Sequence, residues 1–210
     1  MTNPAYRHII MIVDRSGSML ACREATEEGI NGLFAGQAGE GGWGTASLYQ
    51  FDTEHDQVFQ HLALTDVPPY RLVPRGGTAL LDAIGGAFAG EGRWLAALPE
   101  EERPGTVIAV VATDGMENSS REYTRWQIQE IIKRQQELYS WQILFIGANM
   151  DAVQVATSYG IPAPQAMTFR PSTAGVRSSY QSLNKAMMRG RLGGEYGFTE
   201  QERFEALKDD

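Results

Sequence analysis

Cysteine is nearly absent from this chain. Cys22 is the only one in 210 residues, so no intramolecular disulfide can form and nothing points to an oxidising compartment. Long apolar runs are missing as well, and none approaches the ~20 residues that a membrane helix needs. The opening "MTNPAYRH" has no charged start, apolar centre or small-residue cleavage site of the kind a signal peptide carries. The expectation is a cytoplasmic protein with no membrane partner. Basic residues are scarce: 18 Lys and Arg face 26 Asp and Glu, for a net charge of −8. Nucleic acid binding needs a basic face, so this balance argues against it. No G-x-x-x-x-G-K-[ST] and no strand-linked G-x-G-x-x-G is present, which leaves no legible nucleotide site. Histidine occurs three times. His55 and His61 flank one strand six residues apart, too far along it to share a zinc ion. His8 reads as the start of a strand and no more.

What is present is an ordinary globular composition, 42% hydrophobic and 21% charged, on a chain long enough to bury a core. Three continuous apolar runs read as strands covered on both faces: "HIIMIV" at 8–13, "TVIAVVATDG" at 106–115 and "WQILFIGAN" at 141–149. "TASLYQF" and "DQVFQHLAL" form a hairpin around "DTEH", and "QAMTF" is a weak last strand. Helical periodicity marks 19–35, 79–98, 120–139, 151–159 and 173–190. The stripe from Ile128 to Leu138 is expected in the core, and Cys22 as helix packing. "GQAGEGGWG" at 36–44 reads as a glycine-rich loop. Strands thus alternate with amphipathic helices along the whole length. That pattern predicts an α/β fold: a Rossmann-like open sheet of about six strands, mostly parallel with one antiparallel edge strand, and helices on both faces. Residues 1–190 form one domain in this reading, and 191–210 a polar, loosely held tail.

Open α/β sheets gather ligands at the carboxyl ends of their strands. Three segments place oxygen donors there. "DRSGSM" puts Asp14, Ser16 and Ser18 after the first strand, "ATDG" puts Asp114 at the end of another, and "RGGTALLD" sets Thr78 between two glycines and a helix. Two carboxylates and three hydroxyls suit a hard divalent cation, with Mg²⁺ ahead of Mn²⁺ or Ca²⁺. Neutral hydroxyl ligands leave such an ion partly electropositive, able to attract one further carboxylate from outside. Each motif alone also has a plainer reading. Ser18 could cap a helix, Asp114-Gly115 could be a turn, and Gly76-Gly77-Thr78 could be a helix start. Asp14 could also be a phosphoryl-accepting nucleophile, although the second acid such sites place two residues on is Ser16 here. Glu117 and Asn118 read as loop residues or as groups that orient water. Arg15, Met19 and Arg75 are candidates to rim the site and select a partner.

Taken together and in this order, "DRSGSM", "GGTAL" and "ATDG" resemble a von Willebrand factor type A (VWA) domain and its metal-ion-dependent adhesion site, MIDAS. The resemblance spans roughly residues 7 to 190. It implies sheet order 3-2-1-4-5-6, metal contacts at Asp14, Ser16, Ser18, Thr78 and Asp114, and a protein partner that supplies an Asp or Glu to the ion. It also implies one setting for such a module, adaptor to an AAA+ ATPase, and a phage- or virion-associated role is equally open for a chain this compact. An assembly or structural subunit with a stabilising metal is the alternative, followed by a metal-dependent phosphohydrolase. On either of the first two readings the protein is not an enzyme.

Overall fold

A computed structural model describes residues 2–40 and 43–208. The first strand, β1 (Asn3–Asp14), leads through a 3₁₀ turn at Gly17–Cys22 into α1 (Arg23–Gly39). Then follow β2 (Trp43–Phe51), β3 (His55–Ala63), α2 (Leu80–Ala97), β4 (Pro104–Thr113) and α3 (Arg125–Tyr139). The chain continues with β5 (Gln142–Gly147), α4 (Ala152–Ser158), β6 (Ala166–Thr168), α5 (Thr173–Arg191) and α6 (Glu200–Ala206). One six-stranded sheet runs in the order β3-β2-β1-β4-β5-β6. Every pairing is parallel except β2 with β3. Among the described residues, no helix is long and apolar enough to cross a membrane.

The period of two in a strand splits each apolar run between two cores. Ile9, Met11 and Val13 of β1 join Val110 of β4 and Ile146 of β5 beneath α1 and α5. Ile10 and Ile12 face the other way, with Val111 and Phe145, beneath α2 and α3. This is why the runs are continuous rather than alternating: both faces of the sheet are covered. Helix α1 lies against α5 at Gly29, where an added Cβ would fall 2.4 Å from the Tyr180 ring.

Three expectations are corrected. Helix α1 continues into the stretch read as a loop as far as Gly39, and β2 begins at Trp43; α5 holds the helix end, where the Gln37 side chain is buried and donates to Asn184 at 2.9 Å. Gly41 and Gly42 of that stretch lie outside the described residues. Leu138 leaves the predicted stripe and is 69% exposed. At that end the core is closed instead by Trp141, edge-on to Phe88. His8 does not start a strand. It sits inside β1, fully buried.

The segment after Leu192 is packed rather than loose. Phe198 and Ala206 are buried, and the Phe198 amide donates to the Pro164 carbonyl at 2.8 Å. Arg189 pairs bidentately with Glu202 at 2.7 and 2.8 Å, and Thr199 and Glu202 close a capping box at the start of α6. Two apolar anchors and one fork-to-carboxylate pair suffice to dock a segment whose average composition is polar. Asp209 and Asp210 lie outside the described residues. Phe198→Ala is expected to cost about 3 kcal/mol in urea unfolding, whereas Phe204→Ala, at a residue 64% exposed, leaves the midpoint nearly unchanged.

Candidate metal centre

β1 and β4 are neighbours in register, with Val13 opposite Ala112. Their carboxyl ends therefore deliver Asp14 and Asp114 to one place. The Ser16 and Ser18 hydroxyls lie 3.0 Å apart, and Ser18 donates to Asp114 Oδ1 at 2.6 Å. Asp14 is fixed from two sides: the Ser16 amide donates to Oδ1 and the Thr113 hydroxyl to Oδ2, both at 2.6 Å. Thr78 reaches the same cluster from the start of α2. A Cβ placed on Gly115 would sit 3.3 Å from Thr78 Oγ1 and 3.9 Å from Ser18 Oγ, so both hydroxyls converge on the Asp114-Gly115 turn. The five residues taken from the sequence thus come together. All but Ser18 are buried.

The plainer readings of these residues can be checked against their hydrogen bonds. The residues that precede the 3₁₀ turn, α1 and α2, namely Ser16, Cys22 and Ala79, make no side-chain cap, and the first amides of α2 are taken instead by Glu117 and Ser120. The Ser18 hydroxyl is spent on Asp114 rather than on a helix end. Two buried carboxyls beside each other are electrostatically costly. Burial lifts the Asp14 carboxyl to about 6 against hydrogen bonds from Ser16 and Thr113, with the nearby Asp114 charge adding to the rise. Burial likewise raises Asp114, opposed chiefly by the Ser18 hydroxyl. A cation among these oxygens would relieve both, and the donor set, all oxygen, fits a hard divalent ion.

Loops around the cluster hold it rigid. Glu117 accepts from the amides of Ser119 and Ser120 and from Leu81 N. Asn118 Oδ1 accepts from Thr78 N at 2.9 Å, while Asn118 N donates to Thr78 O at 3.0 Å. These two loop residues position Thr78 through its backbone. Asp82, buried in the first turn of α2, accepts from the amides of Arg121, Glu122 and Tyr123. It thereby ties residues 121–123 to the helix. The sequence reading missed it, and also Asp52, which it placed in a hairpin turn.

Asp52 is 1% exposed and accepts from Arg15 Nε and Arg75 Nε, each at 2.7 Å. It joins three loops: the one after β1, the β2–β3 turn and the connection before α2. Gly76 must stay small there, since it has a φ of +66° and its Cβ would meet Asp52 Cβ at 3.2 Å. The suggested rim is corrected accordingly. Arg15 and Met19 point inward and are buried, and only Arg75 is exposed, tethered to Asp52. Burial would raise the Asp52 carboxyl, but hydrogen bonds from Arg75, the Glu54 backbone and Arg15 outweigh it and hold the group at about 2. A carboxyl depressed below its ordinary 3.8 stabilises the fold above that pH and loses its contribution as pH falls toward 2. Urea unfolding should therefore show wild type well above Asp52→Asn at neutral pH, with the gap narrowing steadily from pH 4 to pH 2.

No family model and no curated protein matches the sequence. Solved structures do match. A von Willebrand factor type A protein from Catenulispora acidiphila superposes with a TM-score of 0.61 at 16% identity, over 88% of this chain and 43% of that one. The vWF domain of the type V pili tip protein Mfa5 from Porphyromonas gingivalis gives 0.60 at 10% identity, over 96% and 99%. Proximal thread matrix protein 1 from the mussel byssus, with a zinc-occupied MIDAS motif, gives 0.57 at 16% identity, over 87% and 46%. The chain spans less than half the length of the first three structures it matches. At these identities the likeness concerns architecture, and the architecture is shared throughout: this chain has the fold of a von Willebrand factor type A domain.

Proposed function

We propose that the chain is a protein-interaction module. In this reading Asp14, Ser16, Ser18, Thr78 and Asp114 hold a Mg²⁺-class cation, and the cation captures an Asp or Glu of a partner protein. The observation that carries the reading is the Ser16–Ser18–Asp114 hydrogen-bonded group beside Asp14, with hydroxyls that cap no helix and both carboxyls buried. When bound, the ion would supply an electropositive point for an incoming carboxylate. The chain's own part is to hold the donors still. Thr113 and the Ser16 amide orient Asp14, Asn118 fixes Thr78, and Asp52 locks the loops on either side.

The mussel matrix protein carries zinc in its own MIDAS motif, and pilus adhesins share the fold, which supports an interaction role. Two settings suit such a module: adaptor to an AAA+ ATPase, or a phage- or virion-associated factor. Hydrolysis of a phosphate ester is less well served, because the arginines nearest the cluster, Arg15 and Arg75, are both engaged by Asp52 and form no clamp.

Immobilised protein should retain a partner from native lysate in Mg²⁺ and release it in EDTA, and Asp114→Ala should retain none. Melting curves serve as the control for folding. Free metal at 100 times its Kd adds about 2.7 kcal/mol to the wild type and nothing to Asp114→Ala. In EDTA the variant melts no lower than wild type, because it has lost a buried charge beside Asp14. Retention that is indifferent to EDTA and to the substitution would defeat the proposal.

A further inference from the structure

Away from the Asp14 cluster, His8, His61 and Glu91 are the one group of three or more His, Cys, Asp or Glu side chains among the described residues that could hold a metal ion. One potential donor atom from each lies within 4.8 Å of the others. We propose that these three residues form a second metal site, for a zinc-class divalent cation, independent of the site at Asp14. His8 lies six residues before Asp14 on β1, about 20 Å away along the strand. The two groups therefore share no ligand.

The donor geometry suits four-coordinate zinc. His8 Nε2 and His61 Nε2 each lie 3.1 Å from the same oxygen, Glu91 Oε2. With bonds of ~2.0–2.1 Å, ligand atoms at the corners of a tetrahedron stand about 3.3 Å apart. The two histidine–carboxylate separations need to widen by only about 0.2 Å, and the two imidazole nitrogens, within 4.8 Å of each other, to settle at the same spacing, for all three to meet one ion and leave the fourth position for water. Two imidazoles and a carboxylate are the ligand types of open zinc sites, whereas the oxygen-only set at Asp14 favours a harder ion.

The atoms that would not bind the metal are also held, as metal sites require. His8 Nδ1 hydrogen-bonds Thr45 Oγ1 at 2.8 Å, and Thr45 in turn meets the Tyr6 hydroxyl at 2.7 Å. With that nitrogen as donor, Nε2 keeps its lone pair for an ion. Tyr49 donates to the second carboxylate oxygen of Glu91 at 2.8 Å. The His61 ring stacks on Trp94 at 3.7 Å and 13°.

Backbone conformation points the same way. His61 has a φ of +54°, uncommon for a residue with a side chain. It sits where the β2–β3 register shifts, between Ala46 and Leu48. The irregularity brings an edge-strand histidine back over the sheet to His8 and to α2. Glu91 and His8 are fully buried, while the His61 side chain is 25% exposed, so an ion has a path in from that side.

Zinc titration by calorimetry, with Co²⁺ substitution read by visible absorption, tests the proposal on wild type, Asp114→Ala, His61→Asn and Glu91→Gln. Asn tolerates the left-handed backbone at position 61, and Gln keeps the shape of Glu91. Wild type and Asp114→Ala should bind zinc at this site alike and give the intense Co²⁺ spectrum of a four-coordinate ion. His61→Asn and Glu91→Gln should bind about 100-fold more weakly and lose that spectrum. Undiminished zinc binding in His61→Asn, or zinc binding abolished by Asp114→Ala alone, overturns the proposal. Should the substituted proteins fail to fold, a wild-type Co²⁺ spectrum with only weak six-coordinate absorption overturns it by itself.

Discussion

The structure depends on two buried carboxyls at the ends of adjacent parallel strands. Parallel register with Val13 opposite Ala112 makes Asp14 and Asp114 neighbours of like charge. The surroundings of the cluster can be understood as the answer to that cost. Ser16, Ser18 and Thr113 donate to the two acids. Asp52 engages both Arg15 and Arg75, so neither is spent on the two acids. An arginine left beside Asp14 would neutralise the acids and leave an incoming cation little to gain. The arrangement instead keeps unrelieved negative charge on rigid loops, the condition a tightly held divalent ion needs.

Rigidity comes from carboxylates and amides that spend their lone pairs on backbone. Asp82 takes three successive amides of the 121–123 segment, Glu117 takes the amides of Ser119 and Ser120, and Asn118 holds both polar ends of Thr78. Loops would otherwise be the mobile part of such a fold. Here the β4–α3 loop and the turn before α2 are bound to each other, so the hydroxyl of Thr78 is aimed before any ligand arrives.

Much of this was legible in the sequence for a physical reason. Strands covered on both faces write continuous apolar runs, and the site lies where those runs end, so Asp14 and Asp114 mark themselves. Ser16, Ser18 and Thr78 followed from spacing and from the glycines beside them. Asp52 and Asp82 were illegible because the partners that make them join separate loops are arginines or backbone amides 23 to 41 residues away. Arg15 and Met19 were misread because a turn of one residue decides whether a loop side chain faces in or out. Glu91 did carry a signal. It falls seven residues after Ile84 on the buried stripe of α2, and a charge on an apolar stripe asks for a buried partner. His8 is that partner, but the pairing of His61 with it rests on a local register shift that no alternation pattern reveals. The docked tail was half legible, since "TEQE" is a capping-box signature, while its anchors Phe198 and Ala206 are too sparse to raise the segment's average.

β1 and α2 run past both groups of ligands. Asp14 ends the strand that carries His8, and Thr78 precedes the helix that carries Glu91 about 16 Å further along its axis. The central claim is that the oxygen cluster, and not merely the fold, binds the ion. The most direct test is a crystal soaked in Mn²⁺ and measured for anomalous scattering. The account predicts a peak within bonding distance of Ser16 and Ser18 Oγ, absent from crystals of Asp114→Ala. No peak among these oxygens in well-ordered crystals, or manganese only at His8, His61 and Glu91, would contradict it.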